Sequence, residues 1–379
     1  MNDDNDFDLI DMEFVSEGLK YKAASVEVSN VNDSPKKGSL IIPMEVSGYP
    51  VTKIAKLAFA ENKQLTSVKI PNSITTIGEG AFSGCSSIEY VEIPESVTAI
   101  DKAAFWGCEK LSAIKLPKGL KQLEGHCFYD CKSLASIVIP NGVTQIEQNT
   151  FAFCEKLSSI TLPSNLIKIG DSAFYYCVCL TELSIPDSVK VIDEWALYNC
   201  CGLTSLVLPV GLEEIHEGAF SDCKNLKELL IPRNVTHVGT AVFSGCKKLT
   251  SVIVDKDNRV YDSREGCNAV VETKTNTLVA GCSNTIIPNN ITSIGGSAFM
   301  SCDGLTSLTI PDSVTNVGYR AFWNCRDLVS LSIPEHLEDV FLDNHLCTLS
   351  DCVRLKSIEI RCQDGTLREK QNSFYRPTK

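Results

Sequence analysis

The chain of 379 residues is poor in the groups that usually carry chemistry. It has five histidines, His126, His216, His237, His336 and His345, and none falls in an H-E-x-x-H arrangement. No serine sits in G-x-S-x-G, and neither a P-loop nor a dinucleotide-binding glycine fingerprint is present. His126 and Cys127 are chain neighbours on a turn, where successive side chains diverge by about 100°, so they make a poor nucleophile–base pair. These absences leave no catalytic residue, cofactor or metal site to nominate, and the expectation is a protein that is not an enzyme. No apolar run approaches the roughly 18 residues that a membrane-spanning helix needs. No basic stripe offsets the net charge of −12, so nucleic-acid backbones and anionic lipids are poor partners. The opening stretch MNDDNDFDLIDMEF lacks the basic and apolar regions of a signal peptide. Two expectations stay open: a cytoplasmic chain that starts at Met1, or an exported one whose leader has been removed.

What is present is a beat of 23 residues. Proline recurs at Pro71, Pro94, Pro117, Pro140, Pro163, Pro186, Pro209 and Pro232. Cysteine keeps the same step from Cys85 through Cys108, Cys131, Cys154, Cys177, Cys200 and Cys223 to Cys246. An aromatic follows it at Phe82, Phe105, Phe128, Phe151 and Phe174, with Leu197 substituting once before Phe220 and Phe243. A fixed period of this length marks a solenoid, in which each coil buries its apolar edge only against its neighbours. The regular positions are used as core, so function must lie in the variable ones.

One repeat, Leu65 to Ser87, reads L-x-x-V-x-I-P-x-S-I-x-x-I-x-x-x-A-F-x-x-C. Val68 and Ile70 alternate with Ser67 and Lys69, the period of two that marks a half-buried strand. Pro71 ends the strand because it has no N–H to donate. Ala81, Phe82 and Cys85 share one face of a short helical turn. Stacking equivalent strands predicts a parallel sheet. Short helices or helical turns on the opposite edge would be wider and would curve the stack, leaving the sheet concave.

These signatures, IP-x-S/G-V-x-x-I-x-x-x-AF-x-x-C repeated about a dozen times, resemble the BspA-like leucine-rich-repeat family over about residues 39–361. The interruption Tyr261–Pro288 resembles the hairpin insertion of the family's bacterial members, and GLKYKAASVEVSNV with the stretch to AKLAF resembles its opening segment. The resemblance implies an exported or surface-attached binding protein, found mainly in Bacteroides-type bacteria, with adhesion among the roles of some members. The expected fold is thus an α/β leucine-rich-repeat solenoid, right-handed. Its expected parts are an N-terminal cap over residues 1–50, an array over 51–361 with an inserted hairpin at about 255–285, and a C-terminal tail over 362–379.

The beat breaks twice. Cys246 to Cys302 spans 56 residues, and the extra segment fits a hairpin with a loop at Thr273–Asn276. That pairing would set Cys267 opposite Cys282, where either a disulfide or two buried thiols could result, the thiols being the stronger reading. Cys325 to Cys352 spans 27 residues, with the expansion around Phe341–Leu349.

Two columns are candidates for function. The cysteine column could bind metal or fill core; one thiol per coil forms a line rather than a converging set, which favours filler. If helices carried that column, neighbouring thiols would stand roughly 8–10 Å apart, too far to bridge. Cys127, Cys179, Cys201, Cys347 and Cys362 lie off the ladder without a recognisable metal spacing. The outward strand positions form the second candidate. One column runs Lys69, Glu92, Lys115, Val138, Thr161, Ser184, Val207, Leu230 and Ile253, and Tyr90 belongs to the column beside it. Val138, Val207, Leu230 and Ile253 have no core duty in this register, so they, with Tyr90, Thr161 and Ser184, are the expected ligand-binding residues. The bland alternative is that β-branched residues suit any strand. The function expected is a non-catalytic extracellular or cell-surface module, probing protein or glycan with its concave face as a monomer. An intracellular scaffold is the alternative.

Overall fold

A computed structural model describes residues 13–16, 19–22, 27–30, 37–342 and 346–371. The chain divides into two compact units, Met1–Leu166 and Ile167–Lys379.

In the first unit, the segments Glu13–Ser16, Leu19–Lys22 and Glu27–Asn30 form an antiparallel meander. Its last strand pairs in parallel with Lys53–Ile54, and the ladder continues through Thr76–Ile77, Ala99–Ile100 and Gln122–Leu123. A second, six-stranded parallel sheet begins at Gly38–Ile41 and runs through Leu65–Lys69, Tyr90–Glu92, Ala113–Lys115, Ser136–Val138 and Ser159–Thr161. Each coil therefore contributes one longer strand and one strand of two residues, both parallel to their equivalents in the next coil.

The turn edge is a third ladder. Where the sequence suggested short helices or helical turns, the coils make turns with a left-handed residue at every fourth position. Gly80 and Gly84 have φ of +60° and +71°; His126 and Asp130 take the same places two coils later at +62° and +61°. A left-handed residue interrupts the run of right-handed conformers that a helix needs. The amide hydrogens then divide. Ala81, Ser83 and Cys85 donate within their own coil, to Gly78, Gly80 and Phe82, while Gly80, Phe82 and Gly84 donate to Lys102, Ala104 and Trp106 of the next. Alternate N–H groups thus close turns and stack coils. Coil spacing on this edge is therefore set by hydrogen bonding rather than by helix packing. The Phe59, Phe82, Phe105, Phe128 and Phe151 rings stack with centroids 5.4–5.8 Å apart. The helix-based separation of 8–10 Å is corrected accordingly.

The second unit repeats the plan. Lys168–Ile169, Val191–Ile192, Glu214–Ile215 and His237–Val238 pair in parallel. Glu228–Ile231 pairs with Ser251–Val254, and Ser307–Thr309 with Ser330–Pro334 and then Ser357–Arg361. Leu183 and Leu206 are buried as their repeat positions require, but the segments around them are not in regular strand. The residues Leu367–Gln371, polar after the first, form an antiparallel strand on Ser357–Arg361, covering that sheet's last edge. Among the described residues the single α-helix is Glu338–Leu342, in the 27-residue step.

The insertion is a hairpin, Ala269–Glu272 with Thr277–Gly281, and Tyr261–Asp262 adds a third antiparallel strand. Glu272 pairs with Thr277, so the loop is Thr273–Asn276. A bulge between Val270 and Val271 then shifts the register, giving Ala269 opposite Gly281. Extending this register past Ala269 no longer sets Cys267 against Cys282, and both are buried free thiols. Thr277–Gly281 rejoins the array by pairing in parallel with Ser293–Ile294.

Candidate binding surface on the strand face

The outward register predicted for the strands is the one observed. In the second unit Val207 is 81% exposed, Leu230 53% and Ile253 51%, while their inward neighbours Leu206, Leu208, Leu229, Ile231, Val252 and Val254 are buried. Leu230 and Ile253 are direct cross-strand partners. Ser184 is exposed at the equivalent place. Ile286, 73% exposed, takes the same repeat position beyond the insertion, with its N–H donated to Cys267 O, and was not nominated from the sequence. Its signal was available: it stands two residues before Pro288, as Val207 and Leu230 stand two before Pro209 and Pro232.

The stripe ends in polar chemistry. At Ser332 the same position turns buried, and its hydroxyl donates to Glu359 Oε1 at 2.7 Å. Arg361 donates to that hydroxyl at 2.9 Å and pairs with Asp312 at 2.8 Å. A groove of about 540 Å³ lies here, with Ile286, Thr309, Asp312 and Arg361 among its lining.

In the first unit the column carries different chemistry. Ile41, Lys69, Glu92 and Lys115 are its members by strand pairing, with Val138 and Thr161 paired further on. Val138 is 64% exposed and Thr161 is exposed. Tyr90 lines a groove of about 900 Å³ together with Ile41, Met44, Lys69, Glu92 and Lys115. The sequence reading found Tyr90 but not Ile41 or Met44, although Ile41 also stands two residues before a proline, Pro43.

The cysteine column has a specific structural duty. Phe82 O accepts the Cys85 N–H at 3.1 Å and the Cys108 thiol at 3.3 Å. In the second unit Phe299 O accepts from Cys302 N at 3.0 Å and from the Cys325 thiol at 2.9 Å. Each thiol thus satisfies the second lone pair of a buried carbonyl one coil back. Burial pushes the Cys85 thiol up to about 12, and Cys108, Cys131, Cys223 and Cys325 are likewise raised by burial. Such thiols are poor nucleophiles and poor metal ligands at neutral pH.

The histidines are scattered. His216 Nε2 lies 2.9 Å from Glu214 Oε2, with the His237 ring 5.2 Å from its own. His336 donates to the Val314 carbonyl at 2.7 Å, and His126 lies against Tyr129. His345 lies outside the described residues. Among the described residues no group of three or more His, Cys, Asp and Glu side chains could hold a metal ion, and no helix is long and apolar enough to cross a membrane.

Repeat length, parallel ladders and the proline and cysteine columns meet in one family model. The BspA type leucine rich repeat region matches residues 52–178, 144–264 and 279–376. The chain belongs to this family. A solved leucine-rich-repeat protein from Bacteroides ovatus is similar at 25% identity, covering 89% of this chain and 96% of its own, with a TM-score of 0.56. A leucine rich cell surface protein from Faecalibacterium prausnitzii shares the fold at 24% identity, over 92% of this chain and 94% of that one, with a TM-score of 0.50. No curated protein matches the chain. As a BspA-type repeat protein, it repeats its core columns from coil to coil and varies at the outward positions just described.

Proposed function

We propose that the chain is a non-catalytic cell-surface module that binds a protein or glycan through its strand face. The apolar stripe Val207, Leu230, Ile253 and Ile286 is the principal contact. The observation that carries this reading is the stripe itself: four large apolar side chains, each more than half exposed, at positions the fold does not require to be apolar. Contiguous exposed apolar surface rimmed by polar groups marks interaction sites, and Glu182, Glu228, Ser205 and Ser251 occupy the adjacent outward column. In the first unit Tyr90, Val138 and Thr161 offer a second, more polar surface to a ligand. The similarity to a named cell-surface protein favours an exposed location.

The test is an array of extracellular-matrix proteins and glycans probed with purified protein. A ligand captured by the wild type and lost in the Val207→Lys, Leu230→Glu double variant supports the stripe. Equal capture by a folded double variant excludes it.

An intracellular scaffold remains a second reading, and one observation favours it. The 18 cysteines are thiols rather than disulfides, as suits a reducing compartment. Labelling intact cells with an impermeant amine reagent separates the two: a labelled chain belongs to the surface, an unlabelled one that reacts only after lysis belongs inside.

A further inference from the structure

The turn edge of the second unit carries an aromatic cluster that neither the core nor the strand face uses. Tyr175 and Tyr198 stack with centroids 4.6 Å apart and planes at 14°. Tyr176 lies 5.1 Å from Tyr175 and 5.8 Å from Tyr198, and Trp195 meets Tyr198 edge-on at 5.5 Å. All four are half-buried, so each still presents ring surface to solvent.

The fold does not need aromatics there. One coil on, the places of Trp195, Tyr198 and Asn199 are held by Gly218, Ser221 and Asp222, and the ladder hydrogen bonds continue. The indole is held there against a local cost, and the next coil makes room for it. Trp195 adopts φ of +53°, a conformation that disfavours bulky side chains. Its ring also lies against the bare backbone of Gly218, where a Cβ would stand 2.4 Å from the indole Cε3.

The surroundings are acidic. Glu194 precedes Trp195, and the carbonyl of Glu217 accepts the Trp195 N–H at 2.9 Å. Both side chains are exposed and form no ion pair among the described residues. Asp222 borders Tyr198, with Lys224 3.6 Å from that carboxylate. Lys168 is held by Asp193 at 2.6 Å. Negative charge beside aromatic faces complements a cation: ring quadrupoles attract guanidinium and ammonium groups, and Trp and Tyr are the residues that most often dominate binding.

We propose that this edge, through Tyr175, Tyr176, Trp195 and Tyr198, binds a basic peptide segment, seating its Arg or Lys side chains against the rings beside Glu194 and Glu217. This site is separate from the strand-face reading and stands or falls without it.

The experiment uses the full chain and a dye-labelled peptide of alternating Gly and Arg, against the same peptide with Gln for Arg. The variant is Trp195→Gly with Tyr198→Ser, which copies Gly218 and Ser221 of the neighbouring coil and keeps every carboxylate. The expected result is binding of the Arg peptide at least about tenfold tighter than the Gln peptide, weakened by salt, and at least about tenfold weaker in the variant. A second variant, Tyr176→Asn, copies Asn199 and should weaken binding in the same direction, so an unfolded double variant leaves the proposal testable. Equal binding of the two peptides, displacement by a neutral oligosaccharide, unchanged binding by folded variants, or no binding at all overturns it. Unchanged binding in particular would assign the attraction to the net charge of −12 alone.

Discussion

At the position two residues before the marker proline, the two units differ where their backbones agree. The first unit places Ile41, the charged run Lys69, Glu92 and Lys115, and then Val138 and Thr161 there; the second has Ser184, then Val207 and Leu230, with Ile253 continuing the column where Asp255 replaces the proline, then Ile286, Thr309 and Ser332. Lys69, Glu92 and Lys115 lie on parallel strands, as do Leu230 and Ile253, and the residues beside them in the chain are buried aliphatics in both units. The fold therefore dictates the inward column and leaves the outward one free. Lys–Glu alternation along a sheet face is adequate for pairing, because opposite charges on neighbouring strands attract modestly. Exposed Val207, Leu230, Ile253 and Ile286 are not core, and the proposed contact is what would account for them.

The comparison holds only if each unit has the same kind of core, and the largest test of that is alkaline pH. Burial holds the Cys85 thiol near 12 against an ordinary value of 9.0, and burial also raises the thiols of Cys108 in the first unit and Cys325 in the second well above that ordinary value. Below the unfolded value both states keep the proton, and the thiols place no burden on folding. As pH rises above about 9 the unfolded chain ionises and the folded chain does not, so stability falls, by up to about 1.4 kcal/mol per pH unit for each such thiol. A single steep alkaline transition in circular dichroism is expected. A protein that keeps its full stability from pH 8 to 11 would show that the thiols are not buried as described.

Deleting a ring from the aromatic column is next. Phe128→Ala in the first unit and Phe322→Ala in the second each remove a fully buried side chain stacked on a neighbour, and each should cost ~3–5 kcal/mol by chemical denaturation. A cost under about 1 kcal/mol in one unit alone would mean that the columns are not equivalent.

A smaller effect is expected from the thiols themselves. Cys131→Ala loses a donor to Phe105 O at 3.2 Å and a little volume, a cost of ~1–2 kcal/mol. Native protein at neutral pH should expose few thiols to a labelling reagent, with Cys179, Cys201, Cys347 and Cys362 the reactive ones, and all 18 should react after denaturation. Labelling of Cys131 in the folded state would contradict its burial.

How much of this was legible in the sequence follows from the same division. Inward residues such as Val68, Ile70, Phe82 and Cys85 repeat because each meets its own copy one coil away, and repetition is what a single sequence displays. The outward register followed from alternation around them. The left-handed pair was legible only in part: Gly80 and Gly84 announce it, but His126, Phe153, Tyr176 and Trp195 occupy the same places without glycine. Its consequence, a hydrogen-bonded edge in place of helices, was therefore missed. The bulge at Val270–Val271 has no local marker such as glycine, so the pairing of Cys267 with Cys282 could not be corrected from the sequence. Ile286 was hidden by the insertion that separates it from the regular beat, although its proline was in place.

The smallest expected effect on stability is the sharpest test of the comparison. Val207→Lys with Leu230→Glu gives the second unit the chemistry of Lys69 and Glu92, and Lys69→Val with Glu92→Leu does the reverse in the first. Each substitution lies on the solvent side, so each should change stability by no more than ~0.5 kcal/mol, and the introduced Lys and Glu sit on neighbouring coils where they attract. Loss of several kcal/mol in the first swap would mean that the stripe is covered by other parts of the chain and is core rather than surface, since burying an unpaired charge is costly. A neutral result separates the two causes of apolar residues at outward positions. If the swapped protein is as stable as the wild type, strand preference did not select Val207 and Leu230, and recognition is the remaining reason for an apolar pair held in water.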